Sequence, residues 1–124
     1  MVTILLEGTE DTPKVILDPE NNIFEISGRS LPEDAVLFYQ PVIDWLDELE
    51  KNPIDNMNFS FKLEYFNTAS SKIILDILIK LQEIYEAGTS ITVKWYNLEN
   101  DEDMEEAGEE YSDLVDVPIE MIKY

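Results

Sequence analysis

Seven residues set the frame for this chain. From Phe59 to Tyr65 the sequence Phe-Ser-Phe-Lys-Leu-Glu-Tyr alternates apolar and polar without a break, which is the period of a strand that buries one face. Phe59, Phe61, Leu63 and Tyr65 are expected on the buried side, with Ser60, Lys62 and Glu64 opposite. A short polar turn, Asn67-Thr-Ala-Ser-Ser71, follows at once. The period then becomes helical from about Ser70 to Ala87, with Ile74, Ile77, Leu78, Leu81 and Ile84 on one stripe. Asp76 and Lys80 are spaced to pair on the exposed side, and Gly88 suits the C-terminal cap. A strand handed directly to an amphipathic helix calls for a crossover, and so for an α/β fold.

The rest of the chain fits that frame. Lys14–Asp18 and Ile23–Gly28 are β-rich runs around the turn residues Asp18-Pro-Glu-Asn-Asn22, which predicts a hairpin. Ile4 to Leu6 is expected to add an edge strand. Ser30-Leu-Pro-Glu33 has the spacing of a capping box, with Pro32 in the first turn. The helix it would open carries Phe38, Val42, Trp45, Leu46 and Leu49 on one face, with a kink expected at Pro41 and an end at Asn52-Pro53. Ile91–Trp95 is a further alternating strand. Eight of the twelve residues from Glu99 to Glu110 are acidic, a composition expected of a solvated loop or frayed helix start. It stands ahead of a last helix, roughly Met104 to Val115, stopped by Val117-Pro118. The expected order is β-β-α-β-α-β-α over one domain, residues 1–124. It predicts a single mixed sheet of about four to five strands with helices packed on it through right-handed crossovers.

Composition narrows function. The chain has no histidine and no cysteine. That removes the commonest general base near neutral pH, thiolate chemistry and sulfur-ligated metals, so no catalytic residue, metal or cofactor is expected. Twenty-eight acidic residues face eight basic ones, for a net charge of −20. The basic residues are scattered, so neither nucleic acid nor an anionic membrane is an expected partner. The N-terminus lacks a basic n-region and a cleavage site, and no apolar run is long enough to span a bilayer; a cytoplasmic protein is expected.

Most candidate sites have a plainer explanation. Counting an EF-hand loop from Asp101 puts Glu106 where glycine is needed and Ser112 where the bidentate glutamate is needed, so the calcium pattern fails. Gly8, Gly28, Gly88 and Gly108 form no phosphate cradle. Trp45 and Trp95 fall on apolar faces and read as core. Asp44, Asp47 and Glu48 read as a solvated helix face rather than an acid–base pair.

The turn after the best strand differs. One capping side chain suffices at a helix start, yet Asn67, Thr68, Ser70 and Ser71 offer four, and Lys72 follows where a cation opposes the helix dipole. A phosphorylated hydroxyl would be stabilised by the helix N-terminus and by Lys72. From the pattern alone, capping is the simpler reading. A small-molecule-binding α/β domain and a structural subunit without a switch remain as rivals.

Three stretches carry a resemblance. They are Ser27-Gly-Arg-Ser-Leu-Pro-Glu33 followed by Phe38-Tyr-Gln-Pro-Val-Ile-Asp-Trp45, then Tyr65-Phe-Asn-Thr-Ala-Ser-Ser-Lys72, and Asp101-Glu-Asp-Met-Glu-Glu-Ala-Gly-Glu-Glu-Tyr111. In that order, over nearly the whole chain, they are similar to the SiaC family of bacterial regulatory phosphoproteins, whose fold resembles the STAS domain of anti-sigma factor antagonists. The resemblance implies a non-enzymatic partner-switching adaptor. It implies a dedicated kinase that phosphorylates Thr68 and a metal-dependent phosphatase that reverses it. It further implies that the unphosphorylated form activates an effector such as a GGDEF-type diguanylate cyclase, promoting cyclic di-GMP signalling and aggregation or biofilm growth. Asn67, Ser70, Ser71 and Lys72 then become the expected partner-binding surroundings of Thr68.

Overall fold

The computed structural model describes residues 1–124. In chain order it comprises β1 (Ile4–Leu6), β2 (Lys14–Asp18), β3 (Ile23–Ser30), α1 (Ala35–Lys51), β4 (Asn56–Phe66), α2 (Thr68–Glu86), β5 (Ser90–Asn97), α3 (Glu102–Leu114) and β6 (Ile119–Lys123). All six strands form one sheet in sequence order. β1, β2 and β3 pair antiparallel, while β3 to β6 run parallel through the three helical crossovers. Right-handed crossovers that always step in one direction place all the helices on one face. Burial agrees: Met57, Phe59, Phe61 and Leu63 of β4 are buried, and the residues between them are not.

The mixed α/β sheet is the expected one, with six strands rather than four or five. β1 forms one edge, as read from Ile4–Leu6. β6 at the other edge escaped sequence reading because it is short, follows a proline, and gains its pairing only from β5, for example Trp95 opposite Met121.

Three local expectations are corrected. Ser30 does not cap α1: it is the buried last residue of β3, and Asp34 caps the helix by accepting from the Leu37 amide at 3.1 Å. Pro32 and Glu33 lie before the helix, which runs on through Pro41. Tyr65 does not share the face of Leu63. The register of β3 against β4 slips after Gly28, so that Gly28 pairs with Leu63 but Arg29 pairs with Tyr65. The extra residue in β4 turns Tyr65 outward, where it is 50% exposed, and lets the half-buried Phe66 pack on Trp95. The acidic run from 99 to 110 is mostly inside α3, not ahead of it. Asp101 caps that helix, and Glu102, Asp103 and Glu105 occupy its first turn, where the helix dipole favours them.

The core closes on aromatic rings. Trp95 is fully buried among Phe61, Phe66 and Tyr111, and its indole N–H donates to the Met104 carbonyl at 2.9 Å. Trp45 packs on Phe24. α2 ends in a glycine motif, with Gly88 at φ +123°, its amide on the Tyr85 carbonyl and that of Thr89 on Ile84.

Candidate functional site

β4 delivers the chain to the rim of the sheet, and α2 leaves from there. Asn67 is the cap: its side-chain oxygen accepts from the Ser70 amide at 2.8 Å. Its own amide donates to the Ser30 carbonyl at 3.0 Å, which ties the turn to the end of β3. Thr68 is therefore the first helical residue, exposed, with its hydroxyl free of capping duty. The first-turn amides of a helix have no acceptor inside it, so those of Thr68 and Ala69 lie beside this hydroxyl.

The other hydroxyls of the turn have separate roles. Ser70 is fully buried. Its Oγ donates to the Ser30 carbonyl at 3.1 Å and accepts from Ser30 Oγ at 2.9 Å, and Ser30 Oγ bonds the Tyr39 hydroxyl at 2.6 Å. Burial pushes the Tyr39 phenol up to about 12, against the opposing pull of the Ser30 bond. Ser70 thus faces the interior and leaves the set of side chains that a partner can touch. Ser71 is half-buried. Its Oγ donates to the Thr68 carbonyl at 2.7 Å, and its carbonyl accepts from the Tyr111 hydroxyl at 2.8 Å. Burial is the main cause that raises the Tyr111 phenol above its ordinary range, with Glu110 adding to it.

Lys72 is exposed and has no carboxylate within 4 Å, whereas Lys51, Lys80 and Lys123 all do. It stands four residues after Thr68, on the same helix face. Lys80 does not pair with Asp76 as the spacing suggested. It reaches Asp47 at 2.8 Å, Glu83 at 3.3 Å and Glu50 at 3.6 Å, because α1 packs against α2 there.

Two grooves flank the start of α2. Toward α1, a trough of about 960 Å³ is lined by Val36, Leu37, Phe38, Ala69, Lys72 and Ile73, among others. Val36 and Leu37 are 62% and 72% exposed. Toward α3, a smaller groove of about 250 Å³ includes Ser71, Lys72, Leu75 and Tyr111. Lys72 lines both. Sequence reading missed the adjacent pair Val36-Leu37, although two large apolar residues off the Val42–Trp45–Leu49 stripe are a visible signal for a docking edge.

Elsewhere the acidic residues serve structure. No group of three or more Asp, Glu, His or Cys side chains is placed to hold a metal ion. Glu105 pairs with Lys123 at 3.0 Å. Asp44 accepts from the Gln40 amide at 2.9 Å and Glu48 lies 3.8 Å from Lys51. No helix is long and apolar enough to cross a membrane.

Comparison with known proteins agrees with this architecture. A family model described as SiaC family regulatory phosphoprotein matches residues 6–124. An uncharacterized protein of Pseudomonas aeruginosa (strain UCBPP-PA14) is 27% identical over 118 residues, 95% of this chain and 94% of its own length. A chain in the crystal structure of the diguanylate cyclase SiaD with its activator SiaC from Pseudomonas aeruginosa superposes with a TM-score of 0.91. It is 26% identical, over 98% of this chain and 99% of that one. The crystal structure of apo-SiaC from the same organism gives a TM-score of 0.88 at 26% identity, with full coverage of both chains.

Proposed function

This chain belongs to the SiaC family of regulatory phosphoproteins, and from that premise we propose that it is a phospho-switched activator of a GGDEF-type diguanylate cyclase, with Thr68 as the phosphoacceptor. The observation that carries the proposal is an exposed Thr68 at the first position of α2, beside an apolar trough and one turn before an unpaired lysine.

In the unphosphorylated form the cyclase docks over the start of α2, with Val36, Leu37, Ala69 and Ile73 as apolar contacts and Asn67, Ser71 and Lys72 at the rim. A kinase transfers the γ-phosphoryl group of ATP to Thr68 Oγ1; ADP leaves, and the hydroxyl proton passes to a base on the kinase. The modification adds a charge of about −1.5 to −2. Inside this chain the charge is tolerated, since first-turn amides and Lys72 favour an anion there. At a packed interface the same charge is desolvated without a partner, a loss of several kcal/mol on the scale of about 3–5 for a broken buried pair. The effector leaves and the domain stays folded. A metal-dependent phosphatase reverses the state by hydrolysing the ester to inorganic phosphate. The similarity to a SiaC chain that is the activator of SiaD supports the choice of effector class.

The test uses purified protein, kinase, ATP and cyclase with GTP. Peptide mass spectrometry is expected to place one phosphate on Thr68, and cyclic di-GMP formation is expected to fall as that phosphate accumulates. An unmodified Thr68, or a phosphorylated protein that still activates fully, would overturn the proposal.

A further inference from the structure

The side of the sheet that carries no helix holds an unusual set of residues for a chain with a net charge of −20. Three of the eight basic residues have carboxylate partners within 4 Å: Lys51, Lys80 and Lys123. Lys72 belongs to the Thr68 site. The remaining four, Lys14, Arg29, Lys62 and Lys94, have none, and they occupy four adjacent strands, β2 to β5. Strand alternation turns all four away from the helices, because their neighbours Val15, Ser30, Phe61, Leu63, Val93 and Trp95 are the buried ones.

Tyrosines accompany these cations. The Lys62 ammonium lies 4.6 Å from the Tyr124 ring centroid and 5.6 Å from that of Tyr96, and the Arg29 guanidinium lies 6.0 Å from that of Tyr65. Lys14 faces Ser27, Ser27 faces Lys62, and Tyr96 beyond them faces Ile122, so this row across the sheet contains no acid. Asp18, Glu25, Glu64 and Glu120 share the face, with Glu120 directly opposite Lys94 and Glu25 two strands away in the same row, and none comes within 4 Å of these four cations.

We propose that this open face is a second docking surface, which binds a carboxylate-rich surface of a partner protein. Arginine and tyrosine dominate the energetically important positions of protein interfaces. The unpaired cations supply charge complementarity to an acidic partner. A small ligand is the poorer occupant, since no well-formed groove includes Lys14, Lys62, Lys94 or Tyr96. Nucleic acid is also the poorer occupant, because the four cations are separated by acids and form no continuous basic track for a phosphate backbone. The surface lies across the sheet from the α1–α2 trough, so this inference stands independently of the Thr68 reading, and two partners fit at once.

The experiment is NMR titration of isotope-labelled, unphosphorylated protein with a short poly-L-glutamate peptide at low salt, alongside a thymidine oligonucleotide of equal charge. Amide shifts are expected to cluster on β2 to β5 around Lys62 and Tyr96. Binding is expected to weaken about tenfold or more in K62E/K94E and with added salt, and to be unchanged in T68A. If the reversal variant does not fold, K62Q/K94Q carries the same comparison. Absence of clustered shifts, shifts confined to the Lys72 turn, or insensitivity to the lysine substitutions would overturn the proposal. Equal or tighter binding of the oligonucleotide at this face would overturn it in favour of a nucleic acid partner.

Discussion

Ser30 and Ser70, forty positions apart, hold each other by two hydrogen bonds: Ser30 Oγ donates to Ser70 Oγ at 2.9 Å, and Ser70 Oγ donates back to the Ser30 carbonyl at 3.1 Å. Through Ser30 the pair also binds the Tyr39 hydroxyl, so β3, α1 and the first turn of α2 meet at one buried polar knot. Thr68 is displayed from that knot. The residues that set its position are themselves fully buried.

Ser30→Ala leaves the Tyr39 hydroxyl without its partner in the core and is expected to destabilise the fold by about 1–3 kcal/mol. Tyr39→Phe removes a donor but leaves the serine pair, and is expected to cost about 1 kcal/mol. The double variant should lose less than the sum of the two, which chemical denaturation in a double-mutant cycle would measure.

Thr68→Ala is expected to leave stability within about 0.5 kcal/mol, since the side chain is exposed and does not cap the helix. Asn67→Ala, by contrast, removes the cap and is expected to cost about 1 kcal/mol. Thermal melts of the two variants side by side separate the proposed phosphoacceptor from the residue that caps the helix.

Lys72→Ala acts on the phosphorylated state. A cation four residues beyond a phosphothreonine favours the dianion, so the second ionisation of the phosphate is expected to rise by roughly 0.2–0.4 when Lys72 is removed, matching an exposed i,i+4 pair. Phosphorus NMR against pH reads this directly.

Gly108→Ala should break the usual rule for helices. Alanine gains about 0.5–1 kcal/mol over glycine in a helix interior. Here the added Cβ would collide with Trp95 Cδ1 and come within 2.7 Å of the Met121 methyl. Trp95 is fully buried and bonded to Met104, so it has little room to yield. A net loss of about 1–3 kcal/mol is expected, visible as a lower denaturation midpoint.

Alkaline pH should weaken the fold through Tyr39. Burial raises its phenol from an ordinary 10 to about 12, so the folded state keeps a proton that the unfolded chain releases. The contribution is complete below pH 10 and falls as pH rises through 12, by on the order of 2–3 kcal/mol. Tyr39→Phe lacks this titration, so its stability curve should start about 1 kcal/mol below that of the wild type and cross it within that window.

What the sequence determined by itself were the patterns that depend on neighbours. The alternation of β4, the apolar stripes of α1 and α2, the hairpin, and the crowded polar turn after Phe66 all follow from local periodicity and side-chain chemistry, and they were enough for the sheet class. They marked the turn around Thr68 but left capping as its simpler reading, and only the family resemblance singled out Thr68. Tertiary structure decided whatever depends on distant partners. β6 exists because β5 offers it an edge, and Lys80 turns from Asp76 to Asp47 because α1 lies beside it. A single extra residue in β4 reverses the side chain of Tyr65. Ser30 and Ser70 look like caps in a linear reading and are core residues in the fold, because a hydroxyl bonds whatever donor or acceptor the packing brings near. Spacing along the chain cannot supply that information; only the approach of β3, α1 and α2 does.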